Sequence, residues 1–253
     1  ARPAVHIRSL HFVPDVDWNK VTVAVNLPAA APVDGGLRLR FKNGEESDAE
    51  TAIAAGAAAV TFDVRMNRAH LWSLDDPYLY EVEVRLSTAG SDDVVQSYFG
   101  MRKISVEKLP GTEFPYVALN GKPVYLQMTL DQSYHPDGFY TFPSDAFMRD
   151  EILRSKRIGL NANRIHIKVE VPRKLYWADR LGVLIMADVP NCWGDPTPEA
   201  RAESETALRG MIERDFNHPA IFSWVTFNET WGLFTKRADG SKAYLPETQD
   251  WVA

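Results

Sequence analysis

The second half of this 253-residue sequence alternates between strand-like and helix-like segments, and this alternation constrains the fold more than any other feature. Apolar runs of strand length occupy residues 124–131, 161–168, 183–189 and 220–227. Stretches of helical character separate them, over residues 145–159, 173–181 and 199–215. Strands that alternate with helices build a parallel sheet of βα units. Four such units in about 145 residues make half of a (β/α)8 barrel, which normally needs about 250 residues.

Residue types at the ends of these segments support the assignment. Ser144 suits the N-cap of the first helix, and Gly159 and Gly182 are typical residues for ending a helix. Asn120 and Gly121 lie between two strand-like runs and predict a two-residue hairpin turn. A dinucleotide-binding fold is a poor alternative, because no glycine-rich phosphate loop follows any of the strands.

The first 107 residues have a different character. Short strand-like segments follow one another at regular spacing, over residues 4–13, 20–27, 36–41, 57–64, 78–87 and 94–107, and the Ala-rich stretch 51–59 is ambiguous. Val21, Val23 and Val25 show the alternation of half-buried antiparallel strands. About seven strands in this length suit an immunoglobulin-like sandwich. We therefore predict two domains, an immunoglobulin-like β-sandwich over residues 1–107 and the N-terminal half of a TIM (β/α)8 barrel over residues 108–253.

Composition excludes several kinds of partner. The formal net charge is −6 and the basic residues are dispersed, so a nucleic-acid partner is not expected. No apolar stretch reaches the roughly 20 residues that span a bilayer, so no membrane association is predicted. The single cysteine excludes an internal disulfide and a thiolate metal cluster, and fits the cytoplasm slightly better than secretion.

Both ends of the sequence favour a longer parent protein. The chain starts without Met, and Pro246 and Glu247 suit the first turn of a helix that the sequence does not complete. An open half-barrel would also expose a buried edge strand. We expect the other half in the parent, which could form a homo-oligomer.

Candidate site residues lie where the four parallel strands end, because chemistry in a barrel of this kind lies at the C-terminal ends of its strands. A carboxylate that follows a buried strand, as Glu229 does, is costly to desolvate unless it is paired or used. The mixture of polar and aromatic residues at these ends suits sugar binding. The candidates are Asp131, Gln132, Arg164, His166, Lys168, Asp188, Asn228 and Glu229, with Trp193 and Trp231 close by in sequence.

Structural interpretations stand beside these functional ones. Arg164 and Asp188 could form a structural ion pair, His166 could be a satisfied core histidine, and Lys168 could be solvated. Trp193 and Trp231 are as well explained by packing as by stacking on a sugar. The strand ends offer one histidine and scattered acids, which do not make a metal cluster, so no metal or other cofactor is predicted.

The chain resembles glycoside hydrolase family 2, the group of β-galactosidases, β-glucuronidases and β-mannosidases; the similarity spans nearly all of it, and four stretches carry it. They are WSLDDPYLYEVEVRL, FGMRKISV, LNGKPVYLQ and IERDFNHPAIFSWVTFNE. The resemblance implies a carbohydrate substrate and hydrolysis of β-linked sugars with retention of anomeric configuration. It makes Glu229, partly buried among aromatic residues, the general acid/base, and Asn228 a contact to the sugar 2-hydroxyl. The nucleophile would lie beyond residue 253, so this chain alone should be inactive.

Two departures from the family pattern leave the sugar open. Family members commonly have Arg-x-x-His at the second strand, where this chain has Arg164-Ile-His166 followed by Lys168. A common His-Glu pair at the first strand is replaced by Asp131-Gln132. A lysine near the site could favour an acidic sugar. The competing hypotheses are a non-catalytic carbohydrate-binding or scaffold protein and, more weakly, a metal-dependent hydrolase.

Overall fold

The computed structural model describes residues 2–44, 46–191, 197–229, 234–236 and 238–244. The chain forms two compact units. The first consists of Ala1–Tyr125 with Phe216–Pro219, and the second of Leu126–Asp215 with Ala220–Ala253. The boundary after Tyr125 lies 18 residues beyond the change in sequence pattern at residue 107, because a small third sheet belongs to the first unit.

The first unit contains two antiparallel sheets. One has the order β1-β2-β5 and the other the order β4-β3-β6-β7. Their strands are β1 (Ser9–Asp15), β2 (Lys20–Asn26), β3 (Gly35–Phe41), β4 (Ala49–Ile53), β5 (Ala59–Arg65), β6 (Tyr80–Thr88) and β7 (Ser91–Phe99). The ambiguous Ala-rich stretch thus supplies β4 and a turn rather than a helix.

The alternation read from the sequence is confirmed in the core. Val21, Val23 and Val25 of β2 are buried in one sheet, and Val82 and Val84 of β6 are buried in the other. Both sets belong to one hydrophobic cluster, so the two sheets pack face to face as a sandwich. Intervening residues of both strands are only partly buried, which is the arrangement that a period of two requires.

The run 94–107, predicted as one strand, is two. β7 ends at Phe99, and β8 (Ile104–Lys108) pairs instead with β9 (Pro115–Leu119), which pairs with β10 (Lys122–Pro123). Between them, a Cβ on Gly100 would lie 2.8 Å from Cβ of Pro219, so the chain passes too closely for a side chain there. The hairpin turn predicted at Asn120-Gly121 joins β9 to β10, and both residues have positive φ, 53° and 74°.

The segment Phe216–Pro219 covers the edge of β1 within the first unit. Oδ1 of Asn217 accepts a hydrogen bond from the backbone N–H of Phe12 at 2.9 Å, and its Nδ2 donates to the carbonyl of Leu10 at 2.7 Å. A side-chain amide thus occupies backbone groups that an unpaired edge strand would leave open.

The second unit is built on one parallel sheet in the order β11-β12-β13-β14. Its strands and helices alternate: β11 (Met128–Asp131), α1 (Asp145–Arg157), β12 (Ala162–Ile165), α2 (Pro172–Leu181), β13 (Leu184–Asp188), α3 (Pro198–Asp215) and β14 (Ile221–Val225). All three strand pairs are parallel, as the sequence predicts. β12 and β13 are almost entirely buried.

Local signals place the helix ends. Oγ of Ser144 accepts a hydrogen bond from the backbone N–H of Phe147 at 3.1 Å and so caps α1. Gly182 ends α2 in the left-handed conformation, with φ of 69°. A short antiparallel pair, β15 (Phe234–Lys236) and β16 (Lys242–Tyr244), follows the sheet. The helix start predicted at Pro246 and Glu247 lies outside the described residues.

Candidate active site

The carboxyl ends of the four parallel strands lie at one edge of the sheet and carry the predicted site residues. β11 ends at Asp131 and β13 at Asp188, and Asn228 and Glu229 follow three and four residues after the last residue of β14, Val225. Arg164 lies inside β12, next to Leu130 of β11 and Met186 of β13. The parallel register brings side chains together that are far apart in sequence.

Arg164, Asp188 and Asn228 form a directly connected cluster. Nη2 of Arg164 donates to Oδ2 of Asp188 at 2.7 Å and to Oδ1 of Asn228 at 2.8 Å, and its Nε lies 3.1 Å from each oxygen of Asp188. The Asp188 side chain is 1% exposed and that of Arg164 is 26% exposed. The ion pair considered from the sequence therefore exists, and its planar two-point geometry fixes the guanidinium.

The charges in this cluster reinforce one another. The hydrogen bond to Asp188 raises the pKa of Arg164, burial opposes this, and the charges of Asp188 and Glu229 add to the increase. The arrangement can hold an asparagine amide and a carboxylate next to each other at the sheet edge.

Glu229 itself is exposed and has φ of 53°, so the chain turns through the left-handed region at this residue. The expectation that it is partly buried among aromatic residues is therefore wrong for the described structure. Its predicted neighbours Trp193 and Trp231 lie outside the described residues. An exposed carboxylate at the edge of the sheet remains accessible to a ligand.

Asp131, Gln132 and His166 lie at the ends of β11 and β12. The backbone N–H of His166 donates to the carbonyl of Asp131 at 2.9 Å, which ties the two ends together. Gln132 is exposed. Nδ1 of His166 is buried and has no hydrogen-bond partner among the described residues, which does not fit a satisfied core histidine.

Lys168 is buried and paired. Its side chain is 3% exposed, and its ammonium donates to the carbonyl of Ser133 at 2.6 Å and lies 3.3 Å from Glu170. Aromatic rings of the segment after β11 lie over it at 5.3–5.6 Å; they are Tyr134, Tyr140 and Phe142. The interpretation of Lys168 as a solvated side chain is therefore wrong, because the side chain is buried and paired; its role as a substrate contact stays a prediction.

Sequence reasoning missed Ser133, Glu170 and Lys174, which are buried beside Lys168. Lys174 in α2 contacts Asp131 at 2.8 Å and lies 3.6 Å from Glu170. The spacing of four residues between Glu170 and Lys174 was an available signal for an ion pair. No signal in the sequence indicated that the pair would be buried against β11.

The described residues offer neither a metal cluster nor a membrane-spanning helix. No group of three or more His, Cys, Asp or Glu side chains in this part of the chain could hold a metal ion. No helix among the described residues has the length and apolar character needed to cross a membrane.

Known proteins resemble this chain in sequence and in fold. Residues 5–102 match the family model for glycosyl hydrolases family 2. A β-galactosidase of Thermoanaerobacterium thermosulfurigenes is 29% identical over 200 residues, which are 77% of this chain and 27% of that protein. A β-glucuronidase of Streptococcus agalactiae is 28% identical over 180 residues, 63% of this chain and 28% of that protein. In sequence, the chain is therefore similar to part of a family 2 glycosyl hydrolase.

Solved structures of two glycosidases share its fold. A β-galacturonidase from Eisenbergiella tayi bound to galacturonate superposes with a TM-score of 0.72 at 20% identity, over 88% of this chain and 41% of that one. A β-glucuronidase from Ruminococcus gnavus superposes with a TM-score of 0.71 at 22% identity, over 90% of this chain and 38% of that one. The chain spans less than a third of the length of the two curated relatives.

Proposed function

We propose that the protein containing this chain is a retaining β-glycosidase with Glu229 as its general acid/base. The observation that carries the proposal is the position of Glu229. It follows the fourth parallel strand directly after Asn228, whose amide oxygen is held by Arg164, and its charge acts on the same guanidinium. A carboxyl group fixed beside a sugar-binding amide is what glycosidic bond cleavage requires.

The chemistry assigns each group a step. Glu229 donates a proton to the glycosidic oxygen as the bond to the leaving group breaks, and then accepts a proton from the water that releases the sugar. Asn228 contacts the 2-hydroxyl of the sugar, where interactions strengthen in the transition state. Asp131, Gln132 and His166 complete the floor of the sugar site at the ends of β11 and β12.

A retaining mechanism also needs a nucleophilic carboxylate about 5 Å from the acid/base. Asp188 is unsuited, because it is buried and both of its oxygens are engaged by Arg164. We expect the nucleophile to come from the second half of a (β/α)8 barrel, of which this parallel sheet forms the first half, preceded by an immunoglobulin-like sandwich. The 253-residue chain alone should then hydrolyse no aryl glycoside.

A non-catalytic carbohydrate-binding protein is the second candidate, favoured by the burial of Asp188 and the engagement of both its oxygens by Arg164. The full-length protein decides between them when assayed with aryl β-galactosides and aryl β-glucuronides, the substrate classes named for the relatives. We expect hydrolysis, with the β-anomer as the first product in NMR spectra. The α-anomer as first product would contradict retention, and sugar binding without hydrolysis would support the second candidate.

A further inference from the structure

Two lysines of the second unit are buried without an evident part in the proposed chemistry. The side chains of Lys168 and Lys174 are 3% and 2% exposed, and Ser133 and Glu170 are buried with them. We call these four residues the buried lysine cluster. Removing two ammonium groups from water is costly, and buried ion pairs contribute little net stability relative to apolar packing. Stability alone therefore does not explain why these two lysines are buried.

The contacts of both ammonium groups converge on the segment that follows β11. Nζ of Lys174 donates to Oδ2 of Asp131 and to Oγ of Ser133, both at 2.8 Å. Nζ of Lys168 donates to the carbonyl of Ser133. Oγ of Ser133 donates in turn to Glu170. Lys168, Glu170 and Lys174, which follow β12, thus hold the short segment that follows β11.

This stretch has little freedom left. Oδ1 of Asp131 accepts a hydrogen bond from the backbone N–H of Ser133 at 2.7 Å, so both carboxylate oxygens of Asp131 are engaged. Ser133 has φ of 55°, an uncommon conformation for a serine that needs support from its surroundings. Asp131 keeps a partly exposed side chain, and Gln132, between the two anchored residues, is exposed.

Electrostatics keep Lys174 charged in this setting. Burial alone would lower the pKa of Lys174, but the carboxylates of Glu170, Asp131 and Glu151 together outweigh it, so the pKa is raised. Oε2 of Glu151 lies 3.2 Å from Nζ of Lys174 without hydrogen-bond geometry, so Glu151 raises the pKa of Lys174 through its charge alone. A permanently charged lysine is suited to holding a carboxylate in place and unsuited to accepting a proton.

We infer that Lys174 is a positioning residue of the sugar site. It fixes the carboxylate of Asp131 and, through Ser133, the backbone that presents Gln132. The inference rests on the proposed function, in which Asp131 and Gln132 contact the sugar. Lys168 supports the same segment through its hydrogen bond to the carbonyl of Ser133, next to the rings of Tyr134 and Tyr140.

The test uses Lys174→Met in the full-length protein, which removes the ammonium and keeps an unbranched apolar side chain. Misplacing a sugar contact should raise KM for aryl β-glycosides by between about tenfold and about a hundredfold. The loss should be the same for good and poor leaving groups, because the affected contacts are to the sugar. A purely structural role would lower the amount of folded enzyme and leave KM unchanged.

Lys156→Met is the matched control. Lys156 is a half-buried lysine of α1 that donates to the carbonyl of Leu181 at 2.7 Å, outside the buried lysine cluster. It should lower the melting temperature without changing KM. If Lys174→Met does not fold, Ser133→Ala replaces it, because it removes only the hydroxyl between Lys174 and Glu170. An unchanged KM in the folded variant would overturn the inference.

Sugar binding separates this inference from the proposed function. The Kd of the product sugar, galactose or glucuronate, is measured by titration calorimetry on the same variants. Weaker binding for Lys174→Met than for Lys156→Met supports the positioning role even if Glu229 is not the acid/base. Equal binding by both variants, in a protein that hydrolyses its substrate normally, contradicts the positioning role alone. If the wild type neither binds nor hydrolyses sugars, both proposals are wrong.

Discussion

Nη2 of Arg164 donates a hydrogen bond to Oδ1 of Asn228 across 2.8 Å, while Asp188 binds the same guanidinium through both carboxylate oxygens. The amide of Asn228 is thereby oriented, with its oxygen toward Arg164. Arg164 of β12 and Asp188 of β13 thus set the position of Asn228, the residue next to Glu229. The ion pair should therefore affect both the stability of the sheet edge and the placement of Asn228.

The two partners of the ion pair should respond unequally to removal. Arg164→Met leaves the buried carboxylate of Asp188 uncompensated and should cost about 3–5 kcal/mol of local stability. Asp188→Asn leaves Arg164, whose side chain is partly exposed, able to hydrate, so its cost should be clearly smaller. Hydrogen exchange of peptides covering β12 to β14 in the full-length protein measures the loss of stability in each variant. Equal costs would show that the burial of Asp188 does not determine the effect.

Asn228→Ala should lower kcat/KM by a factor of about 10²–10³, the usual effect of losing one donor that acts on the transition state. Asn161→Ala is the control, because Asn161 supports the opposite end of β11 by accepting a hydrogen bond from the backbone N–H of Gln127 at 2.9 Å. That variant should lose stability and keep its KM. Similar kinetic constants for the two variants would remove the catalytic role of Asn228.

The sequence predicted those parts of the fold that depend on local pattern. The alternation of Val21, Val23 and Val25 and the turn at Asn120-Gly121 need only neighbouring residues to be recognised. The break between β7 and β8 was missed because β8 pairs with β9 in another sheet, and the run of residues 94–107 does not reveal that change of partner. The close approach of Pro219 to Gly100, more than a hundred residues apart in sequence, has no local signal either.

The candidate site shows the same division. Strand ends could be located from the pattern, and this brought Arg164, Asp188 and Asn228 together correctly. Burial of Lys168 could not be predicted, because its partners Ser133 and Glu170 meet only after the sheet has formed. The exposure of Glu229 was also misjudged, since an apolar strand does not determine the burial of the turn that follows it.

Two glycine substitutions should have opposite effects. Gly121 has φ of 74°, so Gly121→Ala should destabilise the hairpin by about 1–2 kcal/mol. Gly210 lies within α3, and a Cβ there would have open space around it, so Gly210→Ala should stabilise the protein by about 0.5–1 kcal/mol. Thermal unfolding of both variants beside the wild type checks the signs. A stabilising Gly121→Ala would contradict the turn assignment.

Acid should weaken the contact between α1 and α2. Hydrogen bonds from Arg173 and Trp177 lower the pKa of Asp145 to about 2. Because the pKa is depressed in the folded state, the stabilisation is complete above the unfolded value of about 3.9 and is lost as the pH falls through about 2. The melting temperature of Asp145→Asn should therefore lie below that of the wild type at pH 6 and approach it at pH 2. Asp137→Asn, an exposed carboxylate outside the ion pairs of the described structure, is the control.

The role of Glu229 is tested by comparing Glu229→Gln with the wild type of the full-length protein on two substrates. Hydrolysis of an alkyl glycoside, which has a poor leaving group, should fall by a factor of about 10²–10⁴, the contribution of a general acid. An activated aryl glycoside should be affected much less in the first step, because its leaving group needs little protonation. Glu113→Gln, an exposed carboxylate of the first unit, should change neither rate.

Azide rescue of this variant is the most direct measurement. Without Glu229 to activate water, release of the sugar from the enzyme becomes limiting on the aryl substrate, and azide can attack without a general base. We expect azide to restore turnover of the aryl glycoside by Glu229→Gln and to produce a β-glycosyl azide. If both substrates lose activity equally and azide restores nothing, Glu229 is not the general acid/base.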